Sequence, residues 1–233
     1  MSLSVPAGTV YALLGKPVEC RTALIRCLWG QTRPVEGRAL VFGQEPRGAR
    51  RRIARVGGKT RRRWGFPRTV PLPEEALAAA VARGADLLLL DDPAFADRGP
   101  APQVLAEAVR QGRTVFFAAS DPARVELLAH RVGILAGGRL VLDEELMRLK
   151  HAFRRIRYSN EMTETRSEYG SELDAFDAVR VRARGWGIEA TVSDFEEEKF
   201  ARFRAMDGVR EARAEALSLA EIFEAVSERA VRD

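Results

Sequence analysis

Short apolar runs and segments of helical period take turns along this chain. Val10–Leu14 is a continuous apolar run of the length expected for a strand buried on both faces of a parallel sheet. Ala23–Trp29 follows with helical spacing, with Thr22 near its start and Gly30 as its stop. Arg38–Phe42, bounded by Gly37 and Gly43, reads as a strand, and Pro73-Glu74-Glu75 opens a helix through Ala82. Leu87–Leu90 predicts a central strand, Pro102–Arg110 a helix and Thr114–Ala118 the next strand. Ser120 or Asp121 caps a helix over Arg124–Ala129, and two short strands follow at Arg131–Leu135 and Arg139–Asp143. Strands alternating with helices predict an α/β layered fold with a mostly parallel sheet.

The texture changes near Lys150. Phe153–Tyr158, Val179–Ala183 and Ile188–Val192 alternate polar and apolar residues, as half-buried strands do. Helices are expected at Phe195–Met206 and Leu219–Arg229, the second opened by a capping box of Ser218 and Glu221. The expected division is a core over residues 1–150 and a small α/β (α+β) domain over 151–233.

The first candidate chemistry lies between the opening strand and helix. Gly15-Lys16-Pro17-Val18-Glu19-Cys20-Arg21-Thr22 has the position and length of the phosphate-binding pattern G-x-x-x-x-G-K-[ST]. Only the first glycine and the terminal hydroxyl match. Cys20 stands where the second glycine allows close backbone approach, and Arg21 stands where a lysine reaches the phosphates. Arginine is planar and bulky, a poor replacement for a point-charge ammonium. Glu19 adds a carboxylate to a loop meant for anions. A second candidate is the acidic pair Asp91-Asp92 that ends the Leu87–Leu90 run.

The stretches VPAGTVYALLGKPVECRTALIRCLWGQTRPVEGRALVFGQEPR and GADLLLLDDPAFADRGPAPQVLAEAVRQGRTVFFAASDPARVELLAHRVGILAGGRLVLDEEL together resemble an ATP-binding cassette (ABC) transporter ATPase subunit. The tail ALSLAEIFEAVSE is similar to the C-terminal extension of some ABC-2-type exporter ATPases. The resemblance implies a P-loop NTPase-like core, with Gly15, Arg21 and Thr22 at the nucleotide-binding positions. It implies Thr22 and Asp91 at the magnesium positions, Asp92 at that of the general base and Ser120 at that of the switch histidine.

Against that pattern the chain has lost much. Aspartate at position 92 retracts the carboxylate by about 1 Å relative to glutamate, an error that costs on the order of 100-fold in rate. Ser120 lacks the proton chemistry of imidazole. Arg55-Val56-Gly57-Gly58-Lys59 and the residues after it replace the glutamine-bearing loop, and Ala94–Gly99 departs from the family's D-loop. Only Arg68–Ala85 fills the place of the helical subdomain that bears the signature motif. The strand carrying the adenine-stacking aromatic is expected to be missing, since only fourteen residues of this sequence precede Gly15, and Tyr11 reads as a core residue. The relic positions Asp92 and Ser120 are therefore not expected to be catalytic. No cofactor is expected, with weak binding of Mg-ATP or ADP as the alternative.

Composition narrows the setting. Hydrophobic residues make up 46% and charged residues 30% of the 233, which leaves room for a sizeable core. No apolar run approaches the ~18 residues that span a bilayer. Cys20 and Cys27 supply no disulfide framework, and nothing has the layout of a secretory leader. A cytoplasmic protein, peripheral at the inner face of the membrane, is expected. The net charge of +5 is unevenly spread, with a basic patch of Arg50, Arg51, Arg52, Arg55, Arg61, Arg62 and Arg63.

Three readings stand at this point. The first is a non-catalytic scaffold or regulator of a transporter-type complex, partnered by an intact ABC ATPase, a membrane subunit or a second copy. The second is a weak nucleotide sensor. The third is a basic patch for nucleic acid or acidic lipid, although nucleic acid is not the expected partner and membrane contact is expected to be indirect.

Overall fold

The computed structural model describes residues 1–57, 73–91, 99–160 and 171–232. The chain divides into two units, Met1–Asp143 and Glu144–Asp233.

The first unit opens with β1 (Val10–Lys16) and α1 (Val18–Leu28), followed by the single turn α2 (Pro46–Ala49) and β2 (Ile53–Gly57). It continues through α3 (Pro73–Ala82), β3 (Leu87–Asp91), α4 (Ala101–Arg110), β4 (Thr114–Ala118) and α5 (Pro122–Leu128). It ends in β5 (Arg131–Ala136) and β6 (Arg139–Glu145). The six strands form one sheet in the order β2-β3-β4-β1-β5-β6. The pairs β2–β3, β3–β4, β4–β1 and β1–β5 are parallel. Two glycines join β5 to β6, a connection short enough only for a hairpin. The expected α/β fold with a mostly parallel sheet is therefore what forms.

The apolar runs are buried because the central strands have both faces covered. Tyr11, Leu13, Leu87, Leu89, Phe116 and Ala118 pack with Ile25 of α1 on one face. The alternate residues Ala12, Leu14, Leu88, Leu90, Val115 and Phe117 are equally buried on the other. Tyr11 is a core residue, as its sequence suggests. Its ring stacks on Phe116 with centroids 5.6 Å apart, and its hydroxyl donates to Asp143 Oδ1 at 3.2 Å. Burial first, and the Asp143 carboxylate second, push that hydroxyl far above the ordinary phenol range. A Cβ on Gly133 would lie 2.3 Å from the same oxygen, so this strand position must stay glycine for the tyrosine to fit.

Several boundaries differ from expectation. Helix α1 starts at Val18, five residues before Ala23, because Pro17 provides an extended cap and nothing from Val18 to Thr22 breaks a helix. Arg38–Phe42 is no strand. Val41 and Gln44 make an isolated bridge around a tight turn in which Phe42 has φ 54°. Strand β2 is an addition, hidden in sequence because arginines interrupt its apolar residues.

The second unit contains α6 (Leu146–Ala152), β7 (Arg154–Asn160), a 3₁₀ turn at Ser171–Phe176, β8 (Ala178–Arg184), β9 (Gly187–Val192), α7 (Glu197–Arg204), β10 (Val209–Ala216) and α8 (Leu219–Arg232). The expected boundary at 150/151 falls inside α6, and α6 and β10 are both additions to the sequence reading. Its antiparallel sheet has the order β10-β7-β9-β8. One face carries Ile156, Tyr158, Ile188 and Ala190 against Phe176, Phe200 and Phe203. Tyr158 meets Phe203 edge-on, with centroids 5.0 Å apart. The other face is an arginine–glutamate lattice. Glu189 accepts from Arg184 at 2.8 Å and Arg157 at 3.1 Å, and Arg155 bonds Glu221 of α8 at 2.5 Å. These arginines hold Glu189 below the usual carboxylate range, Arg184 contributing most.

Candidate functional site

In a parallel sheet the carboxyl ends of the central strands and the following helix N-termini form the natural binding crevice. Here that crevice is formed by the ends of β1, β3 and β4 and by the start of α1. Leu13 lies opposite Ala118, and Ala118 lies beside Asp91. Gly15 and Ser120 are therefore level with each other, two residues further along. The sequence-predicted residues Gly15, Arg21, Thr22, Asp91 and Ser120 all belong to this end of the sheet, whereas Asp92 lies outside the described residues.

Their contacts are to the protein itself. Arg21 is only 2% exposed, and its Nη2 donates to Ser120 Oγ at 2.7 Å. The position expected for the lysine and the position expected for the histidine are thus joined by one hydrogen bond. Asp91 is also buried, and its Oδ2 accepts from Arg55 Nη2 at 2.8 Å. Arg55 comes from β2, next to β3 in the sheet, where Arg55 pairs with Leu89. Sequence reasoning placed Arg55 on a basic surface patch and missed this bond. The signal lay in the alternation of Ile53, Arg55 and Gly57, which puts Arg55 on the same strand face as its apolar neighbours.

The loop before α1 has also changed. With the helix beginning at Val18, two residues separate Gly15 from it, and the Cys20 N–H bonds the Pro17 carbonyl at 3.3 Å. Glu19 lies in the first turn, where its charge complements the helix dipole and opposes any incoming anion. Gly15 has a packing role of its own. It has φ 149°, and a Cβ there would fall 2.5 Å from both Cβ and O of Leu135. Thr22 is the fifth residue of α1 and half-buried.

The other residues of the expected basic patch are dispersed. Arg52 pairs with Asp86 at 2.5 Å and lies over the Phe42 ring, and Arg50 lies over Trp29. Arg51 is exposed, while Arg61, Arg62 and Arg63 lie outside the described residues. Among the described residues no group of three or more histidine, cysteine and acidic side chains is placed to hold a metal ion.

No protein-family model matches the sequence, and a search of curated proteins finds no match. Solved structures do match. The ATP-binding subunit of an ABC transporter aligns over 64% of this chain and 83% of its own, at 16% identity and TM-score 0.50. CbiO1 from Clostridium perfringens, described as part of the ABC transporter complex CbiONQ, aligns over 63% and 80%, at 17% identity and TM-score 0.51. The chain has an ABC ATPase-like fold. Within that fold Mg-nucleotide is the group to test, and the side chains as arranged do not fit it. Asp91 already has a cationic partner in Arg55, the Arg21 guanidinium is turned to Ser120, and Glu19 adds a negative charge to the first turn of α1. No helix among the described residues is long and apolar enough to cross a membrane.

Proposed function

We propose that this chain is a non-catalytic ABC ATPase-like protein, a scaffold or regulator in a transporter-type complex at the cytoplasmic face of a membrane. Its partner would be a protein: an intact ABC ATPase, a membrane subunit or a second copy. The observation that carries this reading is the part-buried Arg55–Asp91 ion pair at the carboxyl end of the central strands. To coordinate magnesium, Asp91 would first have to release Arg55. Breaking this part-buried pair costs about 1–3 kcal/mol. The Arg21–Ser120 bond acts in the same direction, because it engages the cation that would otherwise face the phosphates. The transporter setting rests on the fold shared with ABC transporter ATP-binding subunits.

Calorimetric titration of the purified chain with Mg-ATP tests the proposal, with Glu19→Gly/Arg21→Lys as the repaired comparison. The expected result is no saturable heat from the natural chain. Saturable binding without turnover would replace this reading with the nucleotide-sensor one, which the presence of both Thr22 and Asp91 favours. Mg-ATP hydrolysis above background that Asp92→Asn abolishes would overturn both.

A further inference from the structure

The segment between α1 and β2 remains unused by this reading, and it has an unusual surface. From Trp29 to Gly57 it carries seven arginines against two acidic residues, Glu36 and Glu45. Two of those arginines, Arg52 and Arg55, are held by Asp86 and Asp91. Arg33, Arg38 and Arg47 instead line one hollow of about 240 Å³, with Leu40 in its wall and Glu45 as its one acidic residue, so cations outnumber the carboxylate three to one. Among the described residues none of these three pairs with a carboxylate. Arg47 donates only to the Gly30 carbonyl, at 3.3 Å.

Apolar side chains stand out of the fold along the same segment. Val35 is fully exposed at 101%, and Leu40 and Phe42 are exposed as well. Val35 follows Pro34 at the tip of the stretch Arg33-Pro34-Val35-Glu36-Gly37-Arg38, so an apolar tip is flanked by a cation on each side. Such side chains contribute nothing to the core.

We propose that this arginine hollow and its apolar tip form a docking surface for the anionic phospholipids of a membrane surface. The phosphate-bearing headgroups would meet Arg33, Arg38 and Arg47, while Val35 and Leu40 reach the boundary of the acyl chains. Arginine near an anionic leaflet is attracted to it electrostatically, and shallow burial of apolar side chains adds to that attraction. Nucleic acid fits this surface less well. Base stacking needs open aromatic faces, and here the two rings, Trp29 and Phe42, are each covered by a guanidinium, at 4.9 Å and 4.0 Å. Exposed valine and leucine offer nothing to a base. Glu36 at the tip limits insertion to the interface, because a carboxylate cannot follow into hydrocarbon.

The test is co-sedimentation of the full chain with vesicles of phosphatidylcholine alone and of phosphatidylcholine with phosphatidylglycerol. Binding is expected only with the anionic lipid and should weaken as salt rises. Replacing Arg33, Arg38 and Arg47 together by alanine should weaken it about 100-fold, roughly fivefold for each arginine. All three are exposed, so the variant should keep the circular dichroism and melting temperature of the natural chain. Val35→Ser, which removes the apolar tip without changing the charge, separates a lipid from other polyanions. It should weaken vesicle binding while leaving retention on heparin nearly unchanged. Absence of vesicle binding, equal binding to neutral vesicles, or binding to an oligonucleotide that outcompetes the vesicles would each overturn the proposal.

Discussion

At the scale of single residues, two arginines meet polar partners at the carboxyl ends of the central strands. Arg55 neutralises Asp91, and Arg21 bridges to Ser120. Asp91→Asn removes the charge but keeps the shape, and we expect it to lower unfolding free energy by about 1–3 kcal/mol in urea denaturation. The double variant Arg55→Met/Asp91→Leu should lose less than the sum of the single variants, because neither charge is then left alone. Additive losses would show that the pair is not coupled. Gly15 provides a second case. Gly15→Ala should destabilise by about 1–3 kcal/mol, since the new methyl must displace the β5 backbone at Leu135 and the backbone is left in a disfavoured region. Unchanged urea stability in that variant would return Gly15 to a role in the loop alone.

At the scale of elements, α1 and α8 show how far local signals reach. The capping box of α8 forms as its sequence suggests: Glu221 Oε2 accepts from the Ser218 N–H at 2.9 Å, and Ser218 Oγ accepts from the Glu221 N–H at 3.3 Å. The Ser218 backbone bond, with the Ser218 hydroxyl and Arg155 after it, lowers Glu221 to a pKa of about 2. A carboxylate depressed in the folded state binds its proton more readily once unfolded. Its stabilising contribution is therefore complete above the unfolded value near 4.5 and is lost as pH falls from there towards 2. Glu221→Gln should cost about 1 kcal/mol at neutral pH and flatten the acid limb of the stability profile. Thermal melts from neutral pH to about pH 3 measure this. An acid limb as steep as that of the natural chain would assign the transition to other carboxylates. Helix α1 is the opposite case. Its early start at Val18 depends on Pro17 and on the glycine missing at position 20, both visible in the sequence but read as a damaged loop.

At the scale of the whole molecule, each of the two units has a hydrophobic core of its own. The second has its own sheet, aromatic cluster and ion-pair lattice, so residues 144–233 should fold alone with a cooperative thermal transition followed by circular dichroism. A fragment that melts without cooperativity would show that its core needs the first unit. The α/β class and mostly parallel sheet were legible because strands buried on both faces must be continuously apolar, as Leu87–Leu90 and Thr114–Ala118 are. Strand β2 was not, since a strand beside the central four can carry arginine wherever a neighbouring carboxylate receives it. Nor was β10, where Val209–Ala216 alternates charges with alanines, a pattern shared with exposed helices and loops.

By itself, the sequence determined the kind of fold and the identities of the residues at the crevice. The first follows from apolar periodicity, which acts over a few residues, and the second from what the resemblance to an ABC transporter ATPase subunit implies. The tertiary structure alone decided what the charges meet. Arg55 and Asp91 are 36 residues apart, and Arg21 and Ser120 are 99 apart. Only the parallel register of neighbouring strands brings Arg55 to Asp91. Whether a cation becomes surface, clasp or docking site depends on which distant carboxylate or hydroxyl the fold brings within a few ångströms, and periodicity carries no information at that range.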